Sequence, residues 1–135
     1  MANFKLSIEL IDVHKPVWRR VVVPDLMSLA SLHLVIQQAM GWDNKHLFEF
    51  VIQGGRLSED TNNLDTTLIK DVFSQKVTTI QYIYDFGDYW QHQIYFEGVA
   101  LKLAETLVIE REGECPPEDI GGPPGYEKWC QRMGV

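Results

Sequence analysis

The chain has 135 residues, a formal net charge of −7, and 45% hydrophobic and 11% aromatic residues. That length suits a single domain over residues 1–135 with one real core, and four Trp, five Tyr and six Phe argue against disorder. No apolar run reaches the roughly 18 residues of a membrane span, the first ten residues carry no signal core, and the acid excess disfavours sequence-blind DNA binding, so a cytoplasmic protein is expected.

Phe4 to Leu10 alternates apolar and polar residues, the period of a half-buried strand. Asp12 to Pro16 reads as a turn, and Val17 to Val23 as a second strand antiparallel to the first. Ser28 is a suitable N-cap for an amphipathic helix carrying Leu29, Leu32, Ile36, Ala39 and Met40, which Gly41 closes. His46 to Ile52 returns to a strand pattern that stops at Gly54-Gly55. Strand, strand, helix, strand is a β-grasp-like start.

Gly54 to Thr67 is polar and reads as a loop, and Leu68 to Phe73 as a short helical turn. Thr78 to Tyr84 and Tyr89 to Glu97 read as a hairpin about the turn Asp85-Phe86-Gly87-Asp88. Leu107 to Glu110 suits an outer strand. Glu114 to Gly125 is a Pro/Gly-rich loop, and Tyr126 to Met133 a short terminal helix. The expected class is α+β: the β-grasp-like start, extended by a β-hairpin and the C-terminal Pro/Gly-rich loop.

The charge is uneven. Residues 1–56 carry six basic and five acidic groups, whereas residues 57–135 carry six basic and fourteen acidic ones. Six of those acids fall between Glu105 and Asp119, which suits either a solvated acidic face or a site for a cation or basic partner. Cys115 and Cys130 show no CxxC spacing; two ordinary thiols are expected, with metal ligation of Cys115 the alternative.

Four segments can carry chemistry. At the hairpin tip, Asp88, Trp90 and His92 share one strand face and Asp85 can approach Asp88 across the turn. Two carboxylates and an imidazole suit a divalent cation or acid–base work; turn-capping aspartates and a hydrogen-bonded strand histidine are the structural alternative. Asp85-Phe86-Gly87 matches the magnesium-binding triplet of protein kinases, but no glycine-rich loop precedes it and the chain is too short for a kinase. The Pro/Gly-rich loop would present Glu118 and Asp119 at a fixed place, toward the hairpin tip. Lys15, Trp18, Arg19 and Arg20 form a basic and aromatic patch able to meet phosphates and bases, though three basic groups are few. On a strand, Trp18 and Arg20 share one face and Arg19 takes the other. His33 and His46 could reach a common site, but lone histidines are usually structural.

Several strings in one order carry a family resemblance. They are Pro16-Val17-Trp18-Arg19-Arg20, Leu32-His33, Ile36-Gln37, Met40-Gly41-Trp42 and His46-Leu47-Phe48-Glu49-Phe50. Tyr84 to His92 and Cys115 to Tyr126 follow. Together they resemble the plasmid pRiA4b ORF-3-like family, some of whose members are labelled insertion-element passenger proteins, from about Phe4 to Tyr126. The resemblance implies a plasmid- or mobile-element-associated protein with a compact α+β fold, and it implies no established activity. Family members often have a second histidine where this chain has Phe48, which weakens a shared two-histidine metal site. Members also usually continue past the Gly-Tyr string, so a short or truncated member is expected.

The leading functional expectation is a non-catalytic protein-interaction module with a protein partner and no membrane partner. The alternative is a divalent-metal-dependent enzyme of phosphoester hydrolase type using Asp85, Asp88, His92, Glu118 and Asp119. A nucleic-acid accessory factor using Lys15, Trp18, Arg19 and Arg20 is the third. No cofactor is signalled beyond the divalent cation that the acids would suit.

Overall fold

Seven strands form one antiparallel sheet in the order β4-β3-β5-β6-β1-β2-β7, in a computed structural model that describes residues 2–61 and 63–135. Met1, and Asn62 of the expected loop, lie outside the described residues. The strands are β1 (Asn3–Leu10), β2 (Val17–Pro24), β3 (Phe48–Ile52), β4 (Gly55–Ser58), β5 (Thr79–Tyr84), β6 (Trp90–Ala100) and β7 (Val108–Glu112). The helices are α1 (Leu29–Met40), α2 (Ile69–Val72) and α3 (Gly122–Met133).

The alternation in the sequence becomes two sheet faces. Leu6, Ile8 and Leu10 of β1 are buried with Val17, Val21 and Val23 of β2 and Trp90, His92 and Ile94 of β6. Phe50 of β3 and Tyr82 of β5 join the same core, and α1 covers it with Leu29, Leu32, Ile36 and Met40. The Ser28 side chain accepts from Ser31 N at the start of α1, and Gly41 ends the helix in the left-handed region at φ 75°. The opposite face is polar. On it Arg20 sits over the Trp18 ring and pairs with Glu97 and Glu110.

The structure differs from the β-grasp-like expectation in strand order. The strand after the helix, β3, lies between β4 and β5. The neighbours of β1 are instead β2 and β6, both antiparallel. The chain order of the first four elements is as expected; β5 and β6 take the sheet positions between β3 and β1. A strand also occupies part of the expected polar loop: β4 pairs with β3 through a two-residue turn at Gln53 (φ 49°) and Gly54 (φ 82°). Two successive left-handed residues match the twist of a tight hairpin. Finally, α3 starts four residues before the expected Tyr126, because Pro123 and Pro124 fit a helix's first turn, where no amide donor is required.

Candidate metal centre

The segment after α1, the turn after β5 and the loop before α3 meet at one end of the sheet. Asp85 N donates to Leu47 O at 2.8 Å, which ties the β5–β6 turn to the start of β3. Asp85 is left-handed at φ 66°, which aspartate tolerates, and its Oδ1 accepts from Gly87 N and Asp88 N. That capping uses one carboxylate oxygen. The other, Oδ2, lies 3.6 Å from His46 Nε2.

Asp119 reaches the same imidazole from the Pro/Gly-rich loop, with Oδ1 2.7 Å from His46 Nε2. The contact is off the line a hydrogen bond needs, and the buried Nε2 has no hydrogen-bond partner. One donor atom from each of His46, Asp85 and Asp119 lies within 4.8 Å of the other two. Around an ion with ligands at about 2.1 Å, neighbouring donors stand about 3.0–3.4 Å apart. The two measured donor separations bracket that range. Asp85 is buried and Asp119 exposed, so the site is anchored on the protein side and open to solvent.

The other candidate residues have different work. Asp88 is outside the three-donor group; its Oδ2 accepts from Ile120 N at 3.0 Å and Gly121 N at 3.2 Å. Glu118 Oε2 accepts from Tyr84 Oη at 2.9 Å and from Asp43 N at 3.1 Å. Burial and that carboxylate push the Tyr84 hydroxyl up from its ordinary value. Trp90 and His92 are fully buried on the core face of β6. The His92 ring donates from Nδ1 to Tyr82 O at 3.1 Å, and burial holds it neutral, its pKa lowered to about 4. The expected cluster of hairpin tip and Pro/Gly-rich loop therefore divides: Asp85 and Asp119 converge, but on His46 rather than His92.

His33 and His46 do not share a site. His33 stacks on Phe48 at 3.5 Å and belongs to a closed ring of hydrogen bonds in the core. Gln37 Nε2 donates to Tyr82 Oη, which lies 2.7 Å from His33 Nδ1. His33 Nε2 lies 2.7 Å from Asn44 Oδ1, and Asn44 N donates to Gln37 Oε1. Every member is satisfied if His33 is neutral with its proton on Nε2, and burial lowers its pKa accordingly.

The basic and aromatic patch is split between the two faces of β2. Arg19 is 3% exposed and donates to Trp18 O, Glu112 O, Gly113 O and Cys115 Sγ. Arg20 is held by carboxylates, Trp18 Nε1 donates to Glu112, and Lys15 Nζ donates to Val135 O. Cys115 thus faces a guanidinium and Met40 Sδ, and burial pushes its thiol up while Arg19 pulls it down. Both cysteines are free thiols.

His46, which the sequence leaves as a lone histidine, is the imidazole on which the two carboxylates converge. It lies one residue from Leu47, whose carbonyl binds the Asp85 amide, but that pairing joins positions far apart in the chain.

Strand order and helix placement define an α+β protein built on a seven-stranded antiparallel sheet with three helices. The chain belongs to the plasmid pRiA4b ORF-3-like family, whose model matches residues 2–134. It is 38% identical to the uncharacterized protein y4hQ of Sinorhizobium fredii (strain NBRC 101917 / NGR234), over 96% of this chain and 72% of that one. Its fold is shared with a crystal structure of a protein of unknown function, MM3350 from Methanosarcina mazei Go1. That match has a TM-score of 0.88 at 24% identity, and covers 99% of this chain and 83% of that one. No described helix is long and apolar enough to cross a membrane.

Proposed function

We propose that this protein binds a divalent cation through His46, Asp85 and Asp119. The supporting observation is the convergence of one imidazole nitrogen and two carboxylate oxygens within 4.8 Å, with His46 Nε2 lacking a hydrogen-bond partner. One nitrogen and two oxygen donors suit Zn²⁺ or Mn²⁺. Three protein ligands leave coordination positions for water, and an ion-bound water is a nucleophile at neutral pH. A metal-dependent phosphoester hydrolase is the finer form of this reading.

Calorimetric titration with Zn²⁺, and electron paramagnetic resonance with Mn²⁺, test it. One ion binds the native protein, and His46→Ala, Asp85→Asn and Asp119→Asn each weaken binding by at least about tenfold. No binding up to about 1 mM of either ion overturns the reading. Ion-dependent cleavage of a phosphodiester that is lost in Asp85→Asn separates an enzyme from a binding protein.

A second reading, the non-catalytic protein-interaction module, draws on the apolar side chains at the end of β6. Val99 is 63% and Leu101 99% exposed, with Leu103 also in solvent. Capture of a partner that Leu101→Ser and Leu103→Ser abolish, with ion binding unchanged, would favour this reading.

A further inference from the structure

We propose that Asp88 is a positioning residue for the cation site: it latches the loop before α3 so that Asp119 meets His46 and Asp85. The inference rests on the cation reading above and concerns how the third ligand is held. Asp119 is exposed, and its placement comes from the residues on either side of it. On one side, Glu118 Oε2 accepts from Tyr84 Oη and Asp43 N. On the other, the amides of Ile120 and Gly121 donate to Asp88 Oδ2. Asp119 is suspended between these two anchors, with its backbone left-handed at φ 55°.

The second anchor has no slack. Gly122 begins α3 at φ 69°, and a Cβ there would stand 2.8 Å from Asp88 O. Only glycine lets the loop backbone come this close to the β5–β6 turn. Asp85 Oδ1 accepts from Asp88 N, so the carboxylate holding the loop and the carboxylate offered to the ion belong to one hydrogen-bonded turn. Asp88 therefore transmits the turn's geometry to Asp119 without touching the ion. A donor that is already placed binds without the entropy loss of ordering a loop, so cutting the latch weakens binding rather than abolishing it.

Paired substitutions separate a latch from a ligand. Asp88→Ala removes the acceptor for both amides and weakens Zn²⁺ or Mn²⁺ binding about 10- to 100-fold, the range for residues that orient metal ligands. Asp88→Asn keeps an oxygen able to accept both amides and restores binding to near the native affinity. Equal losses in the two variants would mean that Asp88 acts through its charge or as a ligand, and would overturn the proposal. Native affinity in Asp88→Ala would overturn it as well, while leaving the cation reading intact.

Amide hydrogen exchange tests the latch without any substitution. Because coupling is reciprocal, saturating Zn²⁺ slows exchange at Ile120 and Gly121 in the native protein. Bound ion with unchanged exchange there overturns the latch alone. Failure of the native protein to bind either ion overturns the cation reading itself, so the two failures are distinct.

Discussion

Two buried histidines make the fold sensitive to acid. Burial lowers the pKa of both His33 and His92, the latter to about 4, against an ordinary value of 6.5. In the unfolded chain both rings take a proton near pH 6.5, whereas in the folded core they take it only at lower pH. The stability His92 contributes in this way is fully present above pH 6.5 and is lost as pH falls from there toward 4. For His92 the loss amounts to about 3 kcal/mol at the end of that range. Urea unfolding followed across pH 7 to 4 should show this decline, and His92→Phe should make the slope shallower whatever it does to stability at neutral pH. An unchanged slope would place the titrating group elsewhere. The ring through Gln37, Tyr82, His33 and Asn44 makes a companion prediction. Tyr82→Phe leaves Gln37 Nε2 and His33 Nδ1 buried without partners and should cost about 1–3 kcal/mol by urea titration at pH 7.5. A smaller loss would show that the ring relaxes around the missing hydroxyl.

Among the elements, those with local physical causes were legible in the sequence and those formed by distant pairing were not. The first helix announced itself: an N-cap serine, apolar spacing of three and four, and a glycine in the left-handed position. The alternation of β1 and β2 likewise gave their two faces and set Arg19 opposite Trp18 and Arg20, but not that Arg19 is the one turned inward, since its charge is satisfied there by carbonyls of distant Glu112 and Gly113. Strand β4 was not legible, because Gly55-Arg56-Leu57-Ser58 is a short edge strand that, among the described residues, pairs with β3 alone. The candidate site lies between these cases. The carboxylates of Asp85 and Asp119 were visible as turn and loop residues, but their meeting with His46 depends on the Asp85 amide binding Leu47 O, a contact between distant strands. The chain between β7 and α3 shows how such distant contacts constrain an element. Gly113 is left-handed at φ 83°, and a Cβ there would collide with Pro16 O. Its carbonyl also accepts from Arg19. Gly113→Ala should therefore destabilise the protein by about 2 kcal/mol or more, a backbone strain that adds to the broken approach of β7's end to the start of β2. Urea midpoints of the variant and native proteins measure this, and equal midpoints would mean that the segment shifts freely.

Over the whole molecule, the charge asymmetry gains a location. The acid-rich half supplies Asp85 and Asp119 of the three-donor group, together with Asp88 and Glu118, which fix the loop between them. Three more of these acids lie on the polar sheet face, where Glu97 and Glu110 hold Arg20 and Glu112 accepts from Trp18. Two explanations of the excess then differ in how the protein answers to salt. A solvated acidic face repels itself and is relieved by any cation in proportion to ionic strength. A site saturates: it stabilises the fold by RT ln(1 + [ion]/Kd), about 2.7 kcal/mol at one hundred times Kd, whatever the background salt. Melting curves in Zn²⁺ or Mn²⁺ should therefore rise and level off while KCl at matched ionic strength does little, and Asp119→Asn should remove the ion-specific part alone. If the divalent ions and KCl raise the melting temperature equally at matched ionic strength, the acids are a solvated face and the convergence on His46 has no role in binding cations.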